Sequence, residues 1–198
     1  KARATYARLN NSTGLAHVLL EMAHTSMSQG NFAPARQQLE QALELGRTLD
    51  DQLTIGRCLI ELGKVAYLQS DLSLSRSLIN EGLTIMRTIG RKQGQAVTLN
   101  ILGVIAGEVG DRVAQQAFLQ ESLSIVQQIG DRLGTAFLLL NLGSMASAQG
   151  DFETARNQIS TGLQILQTMG EQATYAEGLL NLGGVELLQG DYIAARQR

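Results

Sequence analysis

The chain has 198 residues, with 16 Lys and Arg against 18 Asp and Glu, and it holds one cysteine, one proline and no tryptophan. Near charge balance without a basic block argues against nucleic acid as a partner, and a lone Cys58 excludes an internal disulfide framework and fits a reducing compartment. No apolar run approaches the ~20 residues that span a bilayer and no signal-like segment opens the chain, so no membrane partner is expected and the expected location is cytoplasmic.

Hydrophobic residues make up 44% of the chain, enough for a sizeable core, and a long sequence rich in Leu, Ala, Gln and Glu with Pro34 alone reads as mostly helix. Its organisation is a repeat with a step of 40 residues and no gap. Residues 1–10 match the tail of a second helix, with Leu9 in the column of Leu49 and Ile89. Helix-pair repeats then follow over 12–50, 52–90, 92–130 and 132–170, and 172–198 is a partial fifth, its second helix beginning near Tyr192. Within each repeat the columns recur. Met22, Leu62, Leu102, Leu142 and Leu182 precede Ala23, Gly63, Gly103, Gly143 and Gly183. Gly30, Ser70, Gly110, Gly150 and Gly190 precede Asn31, Asp71, Asp111, Asp151 and Asp191. Ala42, Gly82, Ser122 and Gly162 precede a Leu column, and Asp50, Gly90, Gly130 and Gly170 close the unit.

A Gly followed by Asp or Asn is a helix stop joined to a helix start. The Gly accepts the left-handed conformation after a C-terminus, and the carboxylate or amide caps the first amides of the next helix. Pro34, three residues after Asn31, falls in a first turn where a missing amide does little harm. Each repeat is thus two helices of about 17 residues, each ~26 Å long. A mid-helix Gly costs about 1 kcal/mol relative to Ala, so Gly63, Gly103, Gly143 and Gly183 imply close approach of the paired backbone, with Ala42, Gly82, Ser122 and Gly162 as the matching recess. The expected architecture is all-α: antiparallel helix pairs stacked into one α-solenoid array of about four and a half pairs. Both ends of the sequence fall inside a repeat instead of at polar capping units, so the chain reads as part of a longer array.

The columns Leu142-Gly143, Ala146, Gly150-Asp151-Phe152, Ala155 and Gly162 resemble the tetratricopeptide signature, and five units share it. A period of 40 instead of 34, the lack of a closing Pro and the turn Ile129-Gly130-Asp131-Arg132 resemble the lengthened subclass found in bacterial signalling NTPases and regulators and in spindle-orientation adaptors. The resemblance implies a right-handed superhelix with a concave groove, lined by first helices, that holds a peptide or partner domain.

On that groove, helical geometry places Arg57, Ile60, Glu61, Lys64 and Leu68, opposite a packed side of Leu59, Leu62, Gly63 and Ala66. The period adds Val97, Asn100, Ile101, Val104 and Glu108, then Phe137, Leu140, Asn141 and Ser144, then Glu177, Leu180, Asn181 and Gly184. The resemblance implies that Asn141 and Asn181 hydrogen-bond the main chain of an extended ligand, although Glu21, Glu61 and Ile101 interrupt the column. Arg57 and Lys64 alone do not make the clamp that grips a C-terminal carboxylate in chaperone-binding members, and the apolar entries favour an amphipathic segment. His17 and His24 share a face without further ligands and read as ordinary groove-edge residues, so neither metal nor cofactor is expected. Cys58 reads as a small core residue, and the column Arg36, Arg76, Arg156, Arg196 as a solvated face. No phosphate loop, nucleophile elbow or zinc helix is present, and the carboxylates do not converge, so the chain is not expected to be an enzyme. The expected role is protein recognition. The alternatives are a sensor arm restraining an attached NTPase or DNA-binding domain, and self-association through exposed array ends.

Overall fold

The computed structural model describes residues 12–190. The helical tail expected over 1–10 and the second helix expected from Tyr192, with Arg196, lie outside the described residues. Among the described residues the elements are nine α-helices: α1 (Ser12–Ser28), α2 (Phe32–Thr48), α3 (Gln52–Leu68), α4 (Leu72–Thr88), α5 (Lys92–Glu108), α6 (Arg112–Gln128), α7 (Arg132–Ala148), α8 (Phe152–Met169) and α9 (Gln172–Leu188). None of them is long and apolar enough to cross a membrane. The fold is all-α, built from consecutive helix pairs.

By contact the chain forms two compact units, residues 1–110 and 111–198, the division falling at the Gly110–Asp111 turn. In the first, each helix from α1 to α4 packs on its successor. Its core joins Leu19, Leu20 and Ala23 of α1 to Leu39 and Ala42 of α2 and to Cys58, Leu59 and Val65 of α3. In the second, α6 to α9 follow the same order, and Ala136, Leu140, Ile159, Leu163, Leu182 and Val185 form the core. One small-residue column changes where the units divide. Ala35, Ser75 and Ala155 are buried, whereas α6 carries the longer, half-buried Gln115 in that place.

Local chemistry sets the helix ends. Asp51, Asp71, Asp111, Asp131 and Asp151 each accept the amide of the residue three places on, at 2.8–3.1 Å, which satisfies a donor the helix itself leaves open. Asn31 does not make this bond. The expected cap fails because the residue three places on is Pro34, which has no amide to give. Arg91 and Glu171, at the starts of α5 and α9, also make no side-chain cap. At the other ends the chain turns through positive φ, as at Gly90 (69°), and twice it does so without glycine, at Asp50 (52°) and Ser70 (64°).

The mid-helix glycines do bring the paired backbones close, and they also seat large side chains where two small columns were expected to meet. Gly63, Gly82, Gly143 and Gly162 each receive a large side chain from the paired helix. A Cβ on Gly63 would overlap Ile79 Cγ1, and one on Gly143 would sit 2.5 Å from Ile159 Cγ1. In return, a Cβ on Gly82 would lie 2.6 Å from Ile60 Cγ1. Backbone is close as well, since the Ser75 and Ala155 carbonyl oxygens would stand 3.1 Å from those on Gly63 and Gly143. The helices interlock as knobs in glycine seats.

Candidate functional site

In the first unit the candidate residues lie on α3 and α5. Arg57 is half-buried, with its Nη2 3.9 Å from Glu21 Oε1. Lys64 Nζ lies 2.7 Å from Glu61 Oε1, and His24 Nε2 lies 3.3 Å from the other oxygen of that carboxylate. Leu68, Val97, Val104 and Glu108 are exposed, and Asn100 and Ile101 are half-buried. The Tyr67 hydroxyl donates to the Glu108 carboxylate, and this bond, together with burial, pushes the phenol up to about 12. Ile60 departs from expectation. It is 6% exposed because it fills the seat left by Gly82, so it forms part of the packing beneath the surface.

In the second unit, Phe137 and Ser144 of α7 are exposed and Asn141 is half-buried. Leu140 is the second correction. It is 3% exposed, and its Cδ2 would lie 3.3 Å from a Cβ on Gly162 and 3.2 Å from one on Gly178. On α9, Glu177 is exposed, Asn181 and Gly184 are half-buried, and Leu180 is 78% exposed. Periodicity at 100° per residue assigns a side of the helix, but it cannot say where the second helix of the same pair reaches round to cover that side.

One concavity gathers several candidates. A cavity of about 410 Å³ opens between α3, the end of α4 and the start of α5. Arg57, Ile60 and Glu61 line it from α3 and Val97 from α5, together with Leu53, Met86, Gly90, Arg91, Lys92, Gln93, Gly94 and Thr98. Lys64, Asn100 and Val104 share these helices but stand outside its lining. The junction holds its shape through Gln95, a buried side chain whose Nε2 donates to the Met86 carbonyl at 3.0 Å. Gly94 leaves room for Met86, whose Sδ would be 2.7 Å from a Cβ there.

Arg91 and Lys92 stand at the start of α5, off the helix faces that the period assigns. Their signal lies in the helix-start column, which runs Asp51, Arg91, Asp131, Glu171 and inverts its charge at Arg91. Three other residues take definite places. Cys58 is fully buried, and burial pushes its thiol up to about 12, which leaves it unreactive. The arginine column, read as solvated, partly staples successive pairs: Arg36 Nη2 donates to Gln69 Oε1 at 2.9 Å, and Arg156 donates to Gln189. Among the described residues no group of three or more His, Cys, Asp or Glu is placed to hold a metal ion.

Residues 15–49 match the family described as Tetratricopeptide repeat. No curated protein matches the sequence. Among solved structures, BtubC (BKLC) from P. vanneervenii superposes with a TM-score of 0.84 at 20% identity, covering 98% of this chain and 81% of that one. A Rap protein complexed with competence and sporulation factor gives 0.80 at 16% identity over 94% of this chain, which spans about half (52%) of that protein. The Signal Transduction ATPase with Numerous Domains from Pyrococcus horikoshii, which has a tetratricopeptide repeat sensor, gives 0.78 at 15% identity, with coverage of 94% and 30%. Residues 15–49 are a tetratricopeptide repeat, and the chain has the tetratricopeptide α-solenoid fold.

Proposed function

We propose that the chain is a protein-recognition module that binds a peptide or protein segment on the exposed side of its first helices. The observation that carries this reading is the cavity beside α3 and α5. Arg57, Ile60 and Val97 converge there, and Val97 and Val104 remain exposed although they are apolar. A concave, mixed apolar and cationic surface of this kind suits a segment that offers both a side chain to bury and a charge to pair. Similar folds support it: one Rap protein is complexed with competence and sporulation factor, and another, a conjugation gene regulator, with the Phr* peptide. In the second unit, Phe137, Ser144, Asn141, Asn181, Glu177 and Leu180 are the corresponding contact residues, the two amides serving an extended main chain. A regulatory sensor arm attached to an NTPase is the second reading, favoured by the likeness to the sensor-bearing ATPase.

Selection of a displayed random-peptide library on the chain tests the proposal. Enriched peptides should slow amide exchange along α3 and α5, and Val97→Asp should weaken them by about tenfold, as expected for a charge placed against a buried apolar contact. Asn141→Ala with Asn181→Ala should weaken partner binding by roughly fivefold, the net worth of about one hydrogen bond, while thermal unfolding stays almost unchanged. Selection that enriches nothing, or peptides that protect only the second helices α2 and α4, would overturn the reading.

A further inference from the structure

We infer that the cavity at the α4–α5 junction is a subsite for a carboxylate carried by the bound segment, an inference that rests on the recognition role proposed above. Three cations line it, Arg57, Arg91 and Lys92, against one acid, Glu61. That acid is already engaged, with Lys64 Nζ at 2.7 Å and His24 Nε2 at 3.3 Å. Among the described residues, neither Arg91 nor Lys92 has a side-chain hydrogen bond or ion pair, and both are exposed. The start of α5 lacks the side-chain cap that Asp51 and Asp131 supply in the same column. The first amides of a helix attract negative charge, and here Gln93 and Gly94 line the cavity. The positions therefore combine a cavity, a net positive lining and a helix start in which a cation has replaced the internal carboxylate. An external carboxylate meets all three at once.

The size and the walls choose between anions. A cavity of about 410 Å³ is far larger than a single phosphate, and Leu53, Ile60, Met86 and Val97 supply apolar walls that phosphate cannot use. A glutamate or aspartate within an apolar segment uses both. Arg91 precedes α5 and Lys92 is its first residue, so these two cations stand at the helix start and off the faces that the period assigns.

The test is titration of the ¹⁵N-labelled chain with acetyl-Leu-Glu-Leu-amide, its Gln counterpart and inorganic phosphate, followed at the Gln93 and Gly94 amides. The Glu peptide should bind at least about tenfold more tightly than the Gln peptide, and its affinity should fall as salt rises, as charge-assisted contacts do. Arg91→Asp restores the capping residue of the sister junctions, and Gly94 occupies the place of Gly134, so this variant folds. It should abolish the Glu-peptide shifts while raising the melting temperature. Lys92→Gln should weaken binding by a smaller factor without changing the melting temperature. Equal affinity for the Glu and Gln peptides, tighter binding of phosphate than of the Glu peptide, or unaltered binding in Arg91→Asp would overturn the inference. Library peptides that bind α3 and α5 but carry no acidic residue would overturn it too, and would leave the recognition role standing.

Discussion

The junctions entering α5 and α7 share their two glycines and differ in charge at the residue that precedes the helix. Each follows a glycine with φ of 69°, Gly90 in one and Gly130 in the other, and each has a glycine three residues into the new helix. At α7, Asp131 accepts the Gly134 amide at 2.8 Å, so the helix start is satisfied within the chain. At α5 that carboxylate is replaced by Arg91, no side chain caps the helix, and a cavity lies beside it. The glycine seats behave in the opposite way: Gly63 with Ile79 and Gly143 with Ile159 repeat the same chemistry in both units. The difference teaches where to look in a repeat. Columns that carry packing keep their chemistry, and the column that reverses charge is one where a capping bond is given up.

The largest expected effect breaks a seat. Gly143→Val should destabilise the second unit by about 2–3 kcal/mol, because Ile159 and the Ala155 carbonyl leave no room for a β-branched side chain. Adding Ile159→Ala should recover part of that loss, and urea unfolding of the single and double variants measures the coupling. Next come the two junctions. Asp131→Ala should cost about 1 kcal/mol through loss of the cap, while Arg91→Asp should gain a similar amount, both read as shifts of the urea midpoint. If Arg91→Asp is not stabilising, the two junctions differ by more than the cap. At Ser70, a non-glycine residue at φ 64°, Ser70→Gly should stabilise by roughly 1 kcal/mol by relieving left-handed strain.

Acid sharpens the comparison further. The Thr54 hydroxyl, donating to Asp51 at 2.6 Å, and the Thr54 amide hold that carboxyl below its ordinary value despite partial burial. A carboxyl depressed in the folded state contributes stability above its unfolded pKa of about 4 and loses it as pH falls through the lower folded value. Stability of the parent chain should therefore decline below about pH 4 more steeply than that of Asp51→Asn, the two being compared by urea unfolding between pH 6 and about pH 2.5. The smallest effect belongs to the surface staple: Arg36→Ala should cost no more than about 0.5 kcal/mol, since its bond to Gln69 is exposed.

Much of the fold was legible because its causes are local. The glycine stops depend on the φ of one residue, the aspartate caps on an amide three residues away, and the helices on composition and period. Where a local rule was applied without its partner it failed, as at Asn31, whose capping bond needs an amide that Pro34 does not have. The site was only partly legible. Face and period place Arg57 and Val97, which line the cavity, whereas Arg91 precedes α5 and Lys92 and Gly94 fall in its first turn, where the side of the helix says little about what a residue lines.

The sequence by itself determined which segments are helical, where they stop and that they recur every 40 residues, since these follow from interactions within a few residues along the chain. Tertiary structure alone decided that Ile60 and Leu140 are covered while Val97 and Leu180 are not, and that Arg57 meets Arg91 and Lys92 around one cavity. Those outcomes depend on which neighbouring helix overlies a given face. That is settled by knobs finding their seats among residues from 16 (Gly63 and Ile79) to 38 (Leu140 and Gly178) positions apart, beyond the reach of any local rule.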